Sequence, residues 1–514
     1  MVQSSDESNP EPSADTSAAR GSGMLAAAFL VVGAGNYAFT LVTAHIIARA
    51  NYGVLALATS FLFFTAWFTA SGFPWTATRR LSGETDMARR AAVLRGAMIG
   101  NLLVATALAL VLLVLTWTGA FKLAGESSAP VVLAAVTCSL SGVNTVLRGG
   151  LQGLFRFRTV AFANIIETSV KIALGVALAV SGLGATGAAI GILVGMAMST
   201  LYSLWSLRAV PLLRGHGFGG WELLRETIPL FVGTAGMALM TSVDLFGVKL
   251  LSPASGSNDN AALYQASVTL ARIPYFFASA MTTAVFPHVA RLRDDVEAAA
   301  LYVRKGILFL LTLLTPMSLV MIAEPDDVLA VFLPSTYADA APALRTIAVG
   351  TTFLALSTFL VGVLQAAGRD RMPAFLALGA VVVEVVLLAV LIPVGVQHGG
   401  SWPLVAAGTA FDVAAVGVCV TLAVTAWWQF RWQIRWRGPA VFVLSCAALL
   451  AVLELMPHEG RIPIVVASMA GGGVYAVLAV ALGLLSPGDL RTLRDAVPIN
   501  RGRGGGAAAP TPSR

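Results

Sequence analysis

The sequence predicts an all-α polytopic membrane protein with about 14 transmembrane helices, arranged as two parallel six-helix repeats plus two extra helices. Three observations predict it. Only 11% of the 514 residues are charged and 57% are hydrophobic, whereas an ordinary soluble domain carries about 25% charge. Fourteen apolar runs each reach the length that crosses a bilayer, about 20 residues. The basic residues gather in alternate loops between those runs. A chain of this composition, with mean hydropathy +0.81, is neither a soluble multidomain enzyme nor a disordered scaffold. Cys138, Cys419 and Cys446 all lie inside apolar stretches, so neither a disulfide framework nor a zinc cluster is implied.

In chain order the runs cover 24–47, 53–72, 91–117, 129–147, 160–181, 185–207, 228–251, 260–285, 305–323, 342–367, 373–396, 401–428, 439–456 and 462–485. Pro316 interrupts the ninth and Ser141–Asn144 the fourth, yet dropping either would break the loop alternation that follows. With the N-terminus in the cytoplasm, 26 of the 33 Lys and Arg fall on the inner side. Three (Arg49, Lys122, Arg461) fall outside, and Lys171, Lys249, Arg272 and Arg345 lie in or at the lip of runs. This bias places both termini in the cytoplasm of a plasma-membrane protein. The net charge of +7 is therefore orientation chemistry, not a sign of nucleic-acid binding.

The division that follows is a disordered cytoplasmic tail at 1–22, an N-terminal six-helix lobe at 23–208 and a cytoplasmic linker at 209–227. A C-terminal six-helix lobe covers 228–428, helices 13–14 cover 429–486, and 487–514 form a cytoplasmic tail disordered at its end. The acidic start is wrong for a cleaved signal peptide. Loops between runs are short, so no extramembrane domain holds a separate active site, and function lives among the helices.

An internal repeat supports the two halves. Tyr52 is followed 27 residues later by Arg79, and Tyr264 by Arg291, with Pro74 and Pro287 near the inner ends. Leu151-Gln152 with Arg156 and Arg158 matches Leu364-Gln365 with Arg369 and Arg371 as LQxxxRxR. The offsets, 212 and 213 residues, each contain six runs, so the halves are parallel repeats about an axis along the membrane normal. Transporters built from repeats place the substrate path between them.

The 6+6+2 arrangement, with Asn51-Tyr52-Gly53, Leu147-Arg-Gly-Gly-Leu-Gln-Gly-Leu-Phe-Arg-Phe-Arg158, Val243-Asp-Leu-Phe-Gly-Val-Lys249 and Phe286-Pro287, resembles the polysaccharide-flippase branch of the multidrug/oligosaccharidyl-lipid/polysaccharide exporter superfamily. The resemblance implies flipping of an undecaprenyl-diphosphate-linked oligosaccharide from the cytoplasmic to the outer leaflet, by alternating access, alongside polysaccharide biosynthesis machinery. It implies a transporter and not an enzyme; relatives include the lipid II flippase and multidrug antiporters.

Ionisable groups inside a membrane are costly and mark function by default. Arg272 has no acid in its own run, and a guanidinium suits a diphosphate; a salt bridge to Asp244 or Glu167 across the halves is its alternative. Asp244 and Lys249 are five apart and do not pair directly. With Asn36, Gln152 and Gln365 they complete the expected substrate-binding set. Glu167 and Lys171 have the spacing of a helical ion pair, and Glu384 and Asp412 suit a proton relay, a sodium site or a pair of packing acids. Arg79, Arg156, Arg158, Arg291, Arg369 and Arg371 form the expected cytoplasmic rim. No catalytic residues, resident cofactor or metal are expected, and a coupling ion, H+ or Na+, is. No GxxxxGK[ST] string is present. A cation-coupled multidrug antiporter, a lipid II flippase, and a membrane glycosyltransferase or ligase using the Glu324–Asp327 loop are the competing functions.

Overall fold

The computed structural model describes residues 31–70, 72–123, 125–211, 225–228, 231, 236–275, 278, 295–369, 371–431, 437–457 and 460–483. Both expected tails, Phe286, Pro287 and Arg291 lie outside these residues. The elements are α1 (31–46), α2 (Arg49–Ala70), α3 (Phe73–Gly83), α4 (Met87–Trp117), α5 (Ala129–Gly153), α6 (Phe157–Leu178) and α7 (Gly184–Ser206). After the linker come α8 (Val243–Leu251), α9 (Ser257–Ala271), α10 (Val296–Ala323), α11 (Pro325–Phe332) and α12 (Ala341–Ala366). The last four are α13 (Arg371–His398), α14 (Trp402–Phe430), α15 (Arg437–Leu455) and α16 (Arg461–Ala481).

Ten of the described helical stretches are long and apolar enough to cross a membrane. One of them, Phe157–Ser206, holds two of the predicted runs, joined through a turn at Ala179–Leu183 where Gly182 has φ 104°. α6 and α7 pack closely because small residues let their backbones meet: a Cβ on Gly191 would strike the backbone of Gly175, and one on Gly195 the carbonyl of Glu167. Apolar side chains also face outward, as a bilayer requires. On α13, Val382, Val386 and Val390 are exposed while Ala377, Glu384 and Leu388 are buried. The Glu324–Asp327 segment, a candidate acidic loop, instead opens α11, with Pro325 in its first turn.

The repeat has a geometric counterpart. α5 ends with Arg156 N–H donating to the Leu151 carbonyl at 2.8 Å and Phe155 N–H to Gln152 at 2.9 Å. α12 ends with Arg369 N–H donating to Leu364 at 2.9 Å and Gly368 N–H to Gln365 at 2.9 Å. Both are Schellman caps, with the residue after the helix end in the left-handed region: Phe155 at φ 57° and Gly368 at φ 81°.

The halves meet chiefly through α2, which lies along α9, its own counterpart in the repeat. At the end carrying Arg49, Arg49 Nε contacts Asp259 Oδ1 at 3.0 Å and Asn258 Nδ2 donates to the Leu123 carbonyl at 2.6 Å. Gly53 sits so close to the backbone of Asn258 that no side chain would fit there. At the other end, Glu226 of the linker accepts from Arg80 Nη2 at 2.6 Å and Arg79 Nη2 at 3.0 Å, and Thr76 meets Thr227 at 3.2 Å.

Candidate functional site

Two of the predicted runs are broken, and the breaks face each other. The seventh is interrupted at Thr241–Ser242, between a helical segment at 236–240 and α8. Thr241 Oγ1 turns back to the Ala238 carbonyl at 2.7 Å, a competition with the helix ladder that bends helices. The eighth is broken at Arg272, the cap of α9, with helical residues resuming at 273–275; Pro274, which has no N–H to donate, lies just past the break. Arg272 Nη2 donates to the Thr241 carbonyl at 2.6 Å, a group that the break makes available.

Arg272 is thus held at the junction. Its Nη2 stands 3.7 Å from Asp244 Oδ2, with the two side chains 16% and 1% exposed. That is ion-pair distance but longer than a hydrogen bond. Asp244 Oδ2 instead accepts from the Tyr264 hydroxyl at 3.1 Å. Among the described residues, the buried Arg272 Nε has no hydrogen-bond partner. Glu384 on α13 is fully buried, with both carboxylate oxygens likewise unpartnered, and it lies within electrostatic reach of Asp244 and Arg272. Tyr37 of α1 is also within Arg272's field. Arg272, Asp244 and Glu384 therefore form one cluster. Of the two partners offered by the alternative reading, Asp244 stands at ion-pair distance but from the same half as Arg272, not across the halves, and Glu167 is engaged elsewhere.

The first half carries a second set. Glu167 pairs with Arg148, not with Lys171, and Arg148 Nη2 also donates to Ser199 Oγ at 2.8 Å. Arg148, counted above with the inner loops, is inside α5, with its side chain 20% exposed. The helical pairing of Glu167 with Lys171 fails because Lys171 reaches α1, bonding Asn36 Oδ1 and lying 5.1 Å from the Phe39 ring centroid. Asn36 and Tyr37, adjacent on α1, thus address Lys171 on one side and Arg272 on the other.

Other candidates sit apart. Lys249 is fully buried at the end of α8 and bonds Asn258 Oδ1. It belongs to the contact where the halves meet, away from Arg272. Asp412 is separate from Glu384: its Oδ1 accepts from Gly350 N–H at 2.8 Å, tying α14 to α12. Gln152 and Gln365 lie in the last turns of α5 and α12, within the paired caps. Of the rim arginines, Arg79 is committed to Glu226 and Arg156 to the Ser206 carbonyl at 2.7 Å, while Arg158, Arg369 and Arg371 are exposed.

Glu226 is lowered from its ordinary carboxylate value, first by the hydrogen bond from Arg80 and then by the charges of Arg80 and Arg79, against the opposing effect of desolvation. Sequence reasoning missed Glu226 and the two helix breaks. Pro274 was a signal for one break; Thr241–Ser242 was only a weak one. Among the described residues, no three His, Cys, Asp or Glu come together as a metal site.

A family model described as polysaccharide biosynthesis protein matches residues 19–293, more than half of the chain. The chain belongs to this family. A second model, MatE, matches residues 229–390. The fold is similar to that of a solved structure of lipid II flippase MurJ in an inward closed conformation, with TM-score 0.72, 15% identity, and 88% of this chain and 97% of that one covered. It is also similar to an inward-facing multidrug resistance MATE family transporter of the MOP superfamily (TM-score 0.61, 17% identity, 78% and 96% covered). A third is a MOP superfamily transporter from Pyrococcus furiosus (TM-score 0.56, 14% identity, 81% and 95% covered). No match is found among curated proteins. This family member is a multi-pass membrane protein built on the all-helical fold those structures share.

Proposed function

We propose that this polysaccharide biosynthesis family member flips an undecaprenyl-diphosphate-linked oligosaccharide from the cytoplasmic to the outer leaflet. The single observation that carries the reading is Arg272. A permanently charged guanidinium lies at the junction of two broken helices, 3.7 Å from its carboxylate and with a buried Nε left without a partner among the described residues. Discontinuous helices are where repeat-built transporters gather ligand groups, and a guanidinium binds phosphate oxygens through a planar fork of donors. A diphosphate would meet the donors that Asp244 leaves unused.

Alternating access suits the contacts between the halves. The seam through Arg49–Asp259, where α2 meets α9, and the one through Glu226–Arg79/Arg80 would open in turn. With both termini cytoplasmic, as the loop charges require, the Glu226 contact is the inner gate. Glu384, buried beside Asp244 and Arg272, is the group best placed to take a coupling H+ or Na+.

The test is flipping of fluorescent lipid-linked oligosaccharide in proteoliposomes. Arg272→Ala, in protein that inserts and elutes normally, is expected to abolish flipping, with Arg272→Lys retaining a fraction. Normal flipping by Arg272→Ala overturns the reading. A cation-coupled antiporter would instead move cationic drugs, and it would do so without need of Arg272.

A further inference from the structure

Outside the central cluster the structure holds a cavity of about 210 Å3 in the first half, where the ends of α3 and α5, the start of α4 and the segment after α7 converge. Leu81, Met87 and Val210 give it apolar walls, and Arg90, Phe155 and Arg156 complete them. Each arginine is oriented by a backbone carbonyl: Arg90 Nε donates to Glu84 at 2.6 Å and Arg156 Nη1 to Ser206 at 2.7 Å. A guanidinium has five N–H donors, so most remain for a ligand. The nearby carboxylates are turned elsewhere. Glu84 and Asp86 face Arg89 at 4.0 and 3.9 Å, and Asp86 also caps α4 through Ala88 N–H at 3.0 Å.

Phe155 points to a ligand independently. It holds φ 57° where the repeat uses Gly368, and it is 63% exposed. A bulky left-handed residue with no burial to compensate it is the kind of local strain that marks functional positions. Trp75 and Trp205 are exposed at the same end of the molecule, which matches the aromatic belt at a membrane surface.

We infer that this cavity seats the phosphodiester headgroup of an anionic glycerophospholipid, with Arg90 and Arg156 on the phosphate and Phe155 against the glycerol and upper acyl chain. Anionic surfaces attract basic groups, and an apolar wall beside two guanidinia fits an amphiphile better than a free anion. The site lies in one half alone, so it holds whatever the central cluster transports.

The full chain in nanodiscs of equal phosphatidylglycerol and phosphatidylcholine, released into native mass spectrometry, reads the occupancy. The wild type is expected to retain phosphatidylglycerol over phosphatidylcholine by about 30-fold, the ratio that two basic groups at about 1 kcal/mol each give for a net-anionic over a zwitterionic headgroup. Arg90→Gln with Arg156→Gln is expected to abolish that preference, while the charge-matched control Arg345→Gln with Arg461→Gln preserves it. Phe155→Gly relieves the backbone and keeps the fold, so a several-fold loss of retention there cannot come from unfolding. Displacement of the lipid by excess glycerol 1-phosphate confirms that the phosphate is recognised. Equal retention in the wild type and the double variant, or equal loss in the control pair, overturns the site. Arginine-dependent binding of glycerol 1-phosphate with no lipid preference overturns the lipid as its occupant.

Discussion

Phe155 and Gly368 occupy the same place in two copies of one helix cap, 213 residues apart: each follows the last turn of its helix with positive φ, at 57° and 81°. Both sit within the same pair of backbone hydrogen bonds. The left-handed region costs a residue with a Cβ about 1–2 kcal/mol and glycine almost nothing. Phe155→Gly should therefore stabilise the protein, by about 0.5–1 kcal/mol once glycine's greater freedom in the unfolded chain is subtracted. Gly368→Ala should destabilise it by about 1 kcal/mol. Thermal unfolding in one detergent compares the pair; a lower melting temperature for Phe155→Gly contradicts the strain.

The linker carboxylate of Glu226, bridged by Arg80 and Arg79, is held below its usual range where those contacts are made. A lowered value means the contact is fully present above the ordinary glutamate range, near 4.3, and is lost only as pH falls through the lowered value. Between about pH 5 and 8 the contact should be insensitive to pH. Glu226→Gln removes it at any pH, at a cost of about 1 kcal/mol or less because the groups are partly exposed. Labelling of a Thr76→Cys probe by a membrane-impermeant maleimide checks both: flat across that range in the parent, raised in the Glu226→Gln background.

At the opposite seam, Gly53 backs onto the Asn258 backbone with no room for a Cβ. Gly53→Ala is expected to wedge α2 from α9, disfavouring this arrangement by about 1–3 kcal/mol. A Ser60→Cys probe, whose parent hydroxyl meets Gln265 across the seam at 3.1 Å, should then label faster. Unchanged labelling would show that the seam does not tighten at Gly53.

The Arg148–Glu167 pair separates structural charge from transport charge. Removing one partner leaves a partly buried charge uncompensated, at about 3–5 kcal/mol, whereas replacing both by apolar groups is often neutral. Glu167→Gln should lower the melting temperature markedly, and Arg148→Met with Glu167→Leu should restore most of it. If the double variant also flips substrate normally, the pair is architectural.

How much of this was legible in the sequence follows from which features are local. Helix placement, the two repeats and the LQxxxRxR match depend on apolar run length and short spacing, which a linear string displays; that the match is a helix cap does not show there. Partner choice does not. Glu167 has Lys171 at the spacing of a helical pair, yet a guanidinium on α5 and an asparagine on α1 are nearer in space. Glu226 stands in a linker whose composition is unremarkable, and it gains its meaning only when α3 folds against it. Arg272 was recognisable as the telling charge and Asp244 as one of its two candidate partners, but Asp244 meets it from the same half and not across the halves.

That meeting yields the most direct test of anion binding. Among the described residues Asp244 is the carboxylate at ion-pair distance from Arg272, 3.7 Å, while Glu384, although close, makes no hydrogen bond with them. Asp244→Asn keeps the shape and the Tyr264 contact but removes the charge, which leaves Arg272 undercompensated in a buried site. The variant should be less stable than the parent without ligand, and a ligand that supplies the missing negative charge should recover more in it than in the parent. Ligand stabilisation follows RT ln(1 + [L]/Kd), so tighter binding appears directly as a larger thermal shift at fixed concentration. With a lipid-linked oligosaccharide diphosphate as ligand, the shift should be larger for Asp244→Asn than for the parent, and absent for Arg272→Ala. A smaller shift in Asp244→Asn would mean that the carboxylate helps to hold the substrate instead of standing in its place, and the diphosphate would then have to be sought at Lys171 or Arg148 in the first half.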